Sequence, residues 1–165
     1  MVINRIFVFI IILLFPIVVL AQSINSGKTC KKRKVEKWEQ LANEGNYQEA
    51  INLLLKSMEE NKNAHKHRDY WHIGQYFALD NNYNKAIIYL KKSTNIFQRS
   101  VDREWRLYYK GTIAFLKRNK RDLKKYHDKL WKNHSGYYEK NACRLKALYE
   151  NFEKPYKDAY YAEGL

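Results

Sequence analysis

The stretch from Gly74 to Leu90, GQYFALDNNYNKAIIYL, contains two apolar patterns separated by a short polar break. Small or apolar residues recur at intervals of three and four on both sides of the break, at positions 74, 77, 83, 86 and 90. This spacing places each set on one face of an α-helix. The break, Asp80-Asn81-Asn82, is long enough only for a tight turn between antiparallel neighbours. The stretch therefore predicts a pair of packed helices.

The same pattern recurs before and after this stretch. Residues 45–51, GNYQEAI, match residues 81–87, NNYNKAI, at an offset of 36. Small residues recur at 74, 111 and 147, and an apolar residue follows each of them after twelve positions, at 86, 123 and 159. A small residue on the first helix lets the second helix approach closely, and each pair leaves an apolar flank that the next pair covers. The sequence thus predicts an all-α chain of about four antiparallel helix pairs, stacked as a solenoid.

The composition agrees with a helical chain. The 165 residues include only 6 Gly and 2 Pro, whereas 45% are hydrophobic. These values exclude a disordered linker and a β-sandwich built on Gly/Pro turns, and no segment alternates with period two for long enough to predict a strand. Further helices are predicted over about residues 102–118, 121–134 and 138–152, with a last short helix that opens at Pro155.

These residues resemble the tetratricopeptide repeat (TPR) family. The family motif has a small and an aromatic residue on the first helix, followed by Tyr, Ala and an aromatic residue or Leu on the second. The second unit meets it with Gly74, Phe77, Tyr83, Ala86 and Leu90. The resemblance covers about residues 31–165 and implies a TPR-like α-solenoid.

The other units depart from the motif. The first has Trp38 where a small residue is expected, the third has Leu123 in the alanine position, and the fourth keeps Ala147, Tyr156 and Ala159. Offsets of 36 and 37 exceed the family period of about 34, and the proline that commonly ends a unit is absent. Other helical repeats and a plain helical bundle therefore stay open.

The resemblance implies a concave surface, lined by the first helix of each pair, on which the family holds peptides or partner proteins. The inward positions of the second and third pairs form the expected partner-binding set: Arg68, Trp71, Gln75 and Ala78, then Trp105, Tyr108, Thr112 and Phe115. Trp and Tyr contribute strongly to interface energies, so Trp71, Trp105 and Tyr108 are the expected anchors. The alternative is that these aromatic residues belong to the core or pack between repeats.

The N-terminal 21 residues predict export. Residues 6–21, IFVFIIILLFPIVVLA, form an apolar run that is short for a membrane span and ends in residues suited to signal-peptide cleavage before Gln22. A basic flexible segment, residues 22–34, then leads to the helical domain, residues 35–165. We expect a periplasmic, surface or secreted protein. The alternative is an uncleaved membrane anchor, because the lysines that follow the run favour the cytoplasmic side.

The formal net charge of +14 is concentrated in two stretches. Residues 28–37 contain six basic residues against one acidic residue, and residues 99–132 contain twelve against four. Localised positive charge attracts anionic partners. The expected anionic-surface set is Arg99, Arg103, Arg106, Lys110, Lys117, Arg121, Lys124 and Lys125. The alternative is ordinary solvated helix faces, and binding to nucleic acid is disfavoured because the chain lacks a recognisable reading module.

The sequence contains no nucleophile elbow, phosphate-binding loop, zinc-protease motif or dinucleotide loop, so no enzyme and no cofactor is predicted. His65, His67 and His72 lack matching carboxylate or cysteine ligands, and no metal site is predicted. Whether Cys30 and Cys143 pair stays open. The predicted function is noncatalytic binding of a protein or peptide partner, with binding to membrane lipid, lipopolysaccharide or another polyanion as the alternative.

Overall fold

The computed structural model describes residues 35–61, 66–94 and 102–162. The predicted signal peptide, the basic segment, Cys30 and Arg99 lie outside these ranges. The described residues belong to one compact unit, Lys34–Leu165. They form eight α-helices: α1 (Lys37–Asn43), α2 (Tyr47–Glu60), α3 (Lys66–Leu79), α4 (Tyr83–Lys92), α5 (Arg103–Leu116), α6 (Lys120–Asn133), α7 (Glu139–Glu150) and α8 (Tyr156–Tyr160). A 3₁₀ turn, Gly136–Tyr138, precedes α7.

The helices pack as the repeat predicts. The pairs α1/α2, α3/α4, α5/α6 and α7/α8 are each in contact, and α2, α4 and α6 each contact the helix that follows. Alternation of contacts within and between pairs is the packing expected of stacked units that cover one another's apolar flanks. The all-α prediction of repeated helix pairs is confirmed, and the described ranges contain no strand.

The same turn joins the helices of the first three pairs. Its central residue has a positive φ of 86°, 58° and 55° at Gly45, Asn81 and Arg118, respectively. The next residue donates its backbone N–H to the carbonyl five residues earlier, at N···O distances of 2.8, 2.8 and 2.9 Å. This is the capping arrangement that closes helix C-termini with a left-handed residue. Because the three turns are 36 and 37 residues apart, the sequence repeat is also a structural repeat.

The three small residues of the repeat are buried, and the two glycines lie in close helix contacts. A Cβ atom at Gly74 would lie 2.6 Å from Cγ of Leu90 on α4, its partner helix, as the repeat predicts. A Cβ atom at Gly111 would instead lie 2.7 Å from Cδ1 of Leu145 on α7, the first helix of the next pair. The atoms nearest to this space at Gly111 therefore belong to the branched side chain of Leu145 and not, as at Gly74, to the partner helix.

The last pair departs from the other three. None of residues 151–155 has a positive φ, and Pro155 stands at the N-cap of α8, which is only five residues long. Besides α7, this helix contacts α3, which belongs to the second pair. The fourth unit therefore keeps the sequence spacing of the repeat, but its second helix packs differently from the second helices of the other units. Within the described ranges, no helix is long and apolar enough to span a membrane.

Candidate functional site

The predicted partner-binding residues on α3 and α5 fall into two groups. Arg68, Trp71 and Trp105 lie near the N-terminal ends of the two helices, and we call them the open half of the predicted concave face. Gln75, Tyr108, Thr112 and Phe115 lie further along the same helices, and we call them the covered half. The helical spacing brings both groups onto one surface, but their surroundings differ.

Two tryptophans form the floor of the open half. The rings of Trp71 and Trp105 meet at a centroid distance of 4.5 Å and an interplanar angle of 59°. Both also contact the ring of Tyr108, at 5.7 and 5.8 Å. Tilted contacts at these distances are favourable for aromatic rings and hold the tryptophans in a defined orientation. Tyr108 of the covered half thus packs against both tryptophans of the open half.

A cavity of about 240 Å³ opens above these rings and is lined by His67, Arg68, Trp71, Ser93 and Trp105. Trp105 is half-buried and Arg68 is exposed, so both present atoms to the cavity. Nε of Arg68 lies 3.3 Å from Oδ1 of Asp69, which is buried and orients the guanidinium. Trp71 is 9% exposed and belongs to the core, so Trp105 and Arg68 are the more accessible of the three. An indole ring beside a guanidinium suits an aromatic or carboxylate side chain of a partner.

The covered half is part of the core. Thr112 and Phe115 have no exposed surface, and Tyr108 is 3% exposed. The Thr112 hydroxyl donates to the Tyr108 carbonyl at 3.0 Å, a bond within its own helix. Nε2 of Gln75 donates to the Tyr108 hydroxyl at 3.5 Å. These three side chains are therefore buried away from any partner in this structure.

Helix α8 packs against Phe115 and lies close to Tyr108. The ring of Tyr156, which is 1% exposed, packs edge-on against Phe115 at a centroid distance of 5.5 Å. Its backbone N–H donates to the Tyr83 hydroxyl at 2.8 Å. Nη1 of Arg144 donates to the Tyr160 carbonyl at 2.6 Å. The short helix is therefore held at both ends by residues of α4, α5 and α7.

Tyrosine hydroxyls in this region are strongly perturbed. Burial, followed by the nearby hydroxyls of Tyr160 and Tyr156, raises the pKa of Tyr108 well above its ordinary value. Burial and the neighbouring Tyr160 and Tyr161 likewise raise the pKa of Tyr156. Both hydroxyls stay neutral because a phenolate would lose its hydration here without gaining a sufficient positive partner. These two tyrosines therefore contribute to packing, because a buried neutral phenol is neither an acid nor a base near neutral pH.

The expected anionic-surface residues are mostly exposed: Arg103, Lys110, Lys117, Arg121, Lys124 and Lys125 are exposed, and Arg106 is half-buried. Lys110 and Lys125, from neighbouring helices, lie 5.8 and 5.7 Å from the ring centroid of Tyr126. Nζ of Lys124 lies 2.6 Å from Oδ2 of Asp128, and this hydrogen bond raises the pKa of Lys124 and lowers that of Asp128. The structure thus brings Lys110 and Lys125 together, whereas Lys124 is engaged by a carboxylate.

The described residues contain only part of the cysteine and histidine sets considered in the sequence analysis. Cys143 is half-buried with a free thiol, and its suggested partner Cys30 lies outside the described residues. His65 also lies outside them, and the described part holds no group of three His, Cys, Asp or Glu side chains suited to a metal ion.

Sequence reasoning missed the role of α8. It assigned Tyr156 and Ala159 to a fourth copy of the repeat, whereas Tyr156 packs on Phe115 of the concave face. Two signals in the sequence distinguish this unit: residues 151–155 lack the Gly-Asn or Asn-Asn turn of the first two units, and they end in the proline that precedes α8. Neither signal alone specifies where the helix lies.

No family model matches the chain, and comparison with curated proteins and with solved structures yields no significant match.

Proposed function

We propose that this chain is an exported, TPR-like protein that binds a protein or peptide partner noncatalytically on its concave face. The observation that carries the proposal is the open half, where Trp71 and Trp105 meet at 4.5 Å beneath a cavity bordered by Arg68. Tryptophan and arginine are the residues most enriched among interface hot spots, especially where a pocket excludes water. Export rests on the predicted signal peptide.

Trp105→Ala tests the partner site. The variant removes the more exposed anchor, so partner affinity should fall by about 30-fold, the effect of a strong hot spot. The matched control is Trp131→Ala, which removes a tryptophan that is 43% exposed on α6. Native envelope extract is first passed over the immobilised wild-type chain, and each captured protein is then purified and titrated against all three chains by calorimetry.

A purified partner that binds wild type and Trp131→Ala alike, but Trp105→Ala much more weakly, supports the proposal. Equal binding to all three chains contradicts it, provided circular dichroism shows that Trp105→Ala is folded. Export is tested separately by the mass of the purified natural protein, which should begin at Gln22; a full-length mass would contradict cleavage.

A second candidate function is binding to an anionic membrane surface, and the closeness of both Lys110 and Lys125 to the ring of Tyr126 favours it. Each Lys or Arg near an anionic bilayer contributes about 1 kcal/mol. Exchange of both lysines for Gln should therefore weaken binding to phosphatidylglycerol vesicles by about 30-fold at low salt. Equal binding to phosphatidylcholine vesicles, or binding that ignores salt, would contradict this function.

A further inference from the structure

The C-terminal helix α8 has the contacts of a bound ligand. The side chains that it buries, Tyr156, Ala159 and partly Tyr160, lie on one face, whereas Lys157 and Asp158 are exposed. The buried face rests on concave positions of the solenoid, and its backbone is held by the Tyr83 hydroxyl at one end and by Arg144 at the other. A peptide helix docked in a groove makes the same two kinds of contact.

The position of α8 is not set by the repeat. The first three pairs share a turn with a left-handed residue, and the fourth connection lacks it. The contacts of α8 reach well beyond its own pair: Tyr156 meets Phe115 on α5, and the ammonium group of Lys157 lies 5.3 Å from the ring centroid of Tyr47 on α2. Side-chain complementarity with the concave face, rather than stacking on α7 alone, therefore places this helix.

The contacts of α8 leave part of the helix poorly stabilised. A helix of five residues is unstable by itself, because short helices in water do not offset the cost of their nucleation. The Tyr156 hydroxyl is buried and has no hydrogen-bond partner among the described residues, which costs free energy that the ring contacts must offset. Short elements with an unsatisfied buried polar group open at a lower free energy than the core does. Local release of α8 is therefore less costly than unfolding.

We propose that the covered half is a binding site for a helix of the pattern Tyr-x-x-Ala-Tyr, and that α8 is its intramolecular occupant. The external ligand class is a helical peptide segment with tyrosines at its first and fifth positions, a small residue at the fourth and a cation after the first tyrosine. The proposal rests on the proposed function in using the same face, but it concerns Gln75, Tyr108 and Phe115, which lie beside α8, rather than the tryptophans.

Each part of that pattern corresponds to a contact that α8 makes in the structure. The first tyrosine meets the Phe115 ring, and the fourth residue must be small because Ala159 has no exposed surface. The fifth residue offers its carbonyl to Arg144, whose guanidinium carbon lies 4.6 Å from the Tyr160 ring centroid. The cation in second position matches Lys157 above Tyr47.

Peptide complementation tests the proposal in the full-length chain. Tyr156→Ala removes the anchor of the occupant and leaves the groove unchanged, and Tyr161→Ala is the matched control because Tyr161 is 53% exposed. The probe is a fluorescein-labelled synthetic peptide with the sequence of residues 153–162, measured by anisotropy. In wild type the tethered helix competes at an effective concentration on the order of millimolar. The peptide should therefore bind Tyr156→Ala at least about 10-fold more tightly than it binds wild type or Tyr161→Ala.

Three results would overturn the proposal: equal affinity for all three chains, no binding to folded Tyr156→Ala, or equal binding of a peptide that carries Ala in place of its first tyrosine. If Tyr156→Ala does not fold, ¹⁵N-labelled wild type is titrated with unlabelled peptide instead. Chemical-shift changes confined to α8 and its concave neighbours support displacement, and a spectrum unchanged at millimolar peptide rejects it. No partner protein enters these measurements, so their outcome is separable from that of Trp105→Ala.

Discussion

The open half and the covered half of the predicted concave face are built from the same two helices with the same spacing, yet their surroundings differ. Arg68 is exposed and Trp105 is half-buried above a cavity, whereas Thr112 and Phe115 have no exposed surface. The five-residue helix α8 contributes to the difference, because its Tyr156 packs on Phe115. Repeat periodicity thus predicts which residues share a helix face, whereas non-local packing decides which of them solvent reaches.

The largest expected difference between the halves is in stability. Phe115→Ala leaves a cavity beneath Tyr156 and should lower the free energy of unfolding by about 3–5 kcal/mol, as for other buried Phe side chains. Trp105→Ala, in the half-buried position, should cost less than half of that. Urea titration of both variants measures the difference. Equal losses would show that the two halves are not distinct.

Alkaline pH should destabilise the covered half. The pKa values of Tyr108 and Tyr156 are raised in the folded state, so above pH 10 the native chain binds more protons than the unfolded chain. Stability should therefore be unaffected by these groups below pH 10 and fall above it, by up to about 1.4 kcal/mol per pH unit for each tyrosine. The double variant Tyr108→Phe/Tyr156→Phe should lose less stability between pH 10 and 11. An unchanged slope would contradict the buried placement of the two hydroxyls.

Much of the scaffold was predictable from sequence. Gly74, Ala86 and the turn at Asn81 follow from spacing and backbone preference, both of which are local properties. The position of Tyr156 was not predictable, because its neighbours Phe115 and Tyr83 are 41 and 73 residues away in the sequence. A periodic pattern does not indicate which distant residues a side chain will contact. The spacing also did not reveal that Leu145 of the next unit lies closest to Gly111.

Arg144→Gln should loosen α8 without altering the open half. The guanidinium donates to the Tyr160 carbonyl at 2.6 Å, and hydrogen bonds from charged groups contribute about 1.5–3 kcal/mol. Amide exchange in residues 156–161 should accelerate by about 10-fold or more, while exchange in α3 stays unchanged. Lys146→Gln, a neighbour on α7 that is half-buried, provides the comparison. Acceleration throughout the chain in Arg144→Gln would indicate a general structural role instead.

The smallest expected effect is that of Tyr156→Phe. The variant keeps the ring contact with Phe115 and removes a buried hydroxyl that lacks a hydrogen-bond partner among the described residues. Stability should stay the same or rise by up to about 1 kcal/mol, because no hydrogen bond is lost and a desolvation cost disappears. Thermal unfolding measures the change. A loss above that size would reveal a hydrogen bond to the Tyr156 hydroxyl.

The nuclear Overhauser effect between aromatic rings tests most directly whether α8 lies in the concave face. The ring centroids of Tyr156 and Phe115 are 5.5 Å apart, which is close enough for strong cross-peaks between their ring protons. We predict these cross-peaks in the full-length chain, together with cross-peaks between Lys157 and the ring of Tyr47. Cross-peaks of Tyr156 confined to residues of α7 would place the last helix in an ordinary fourth pair and contradict the account.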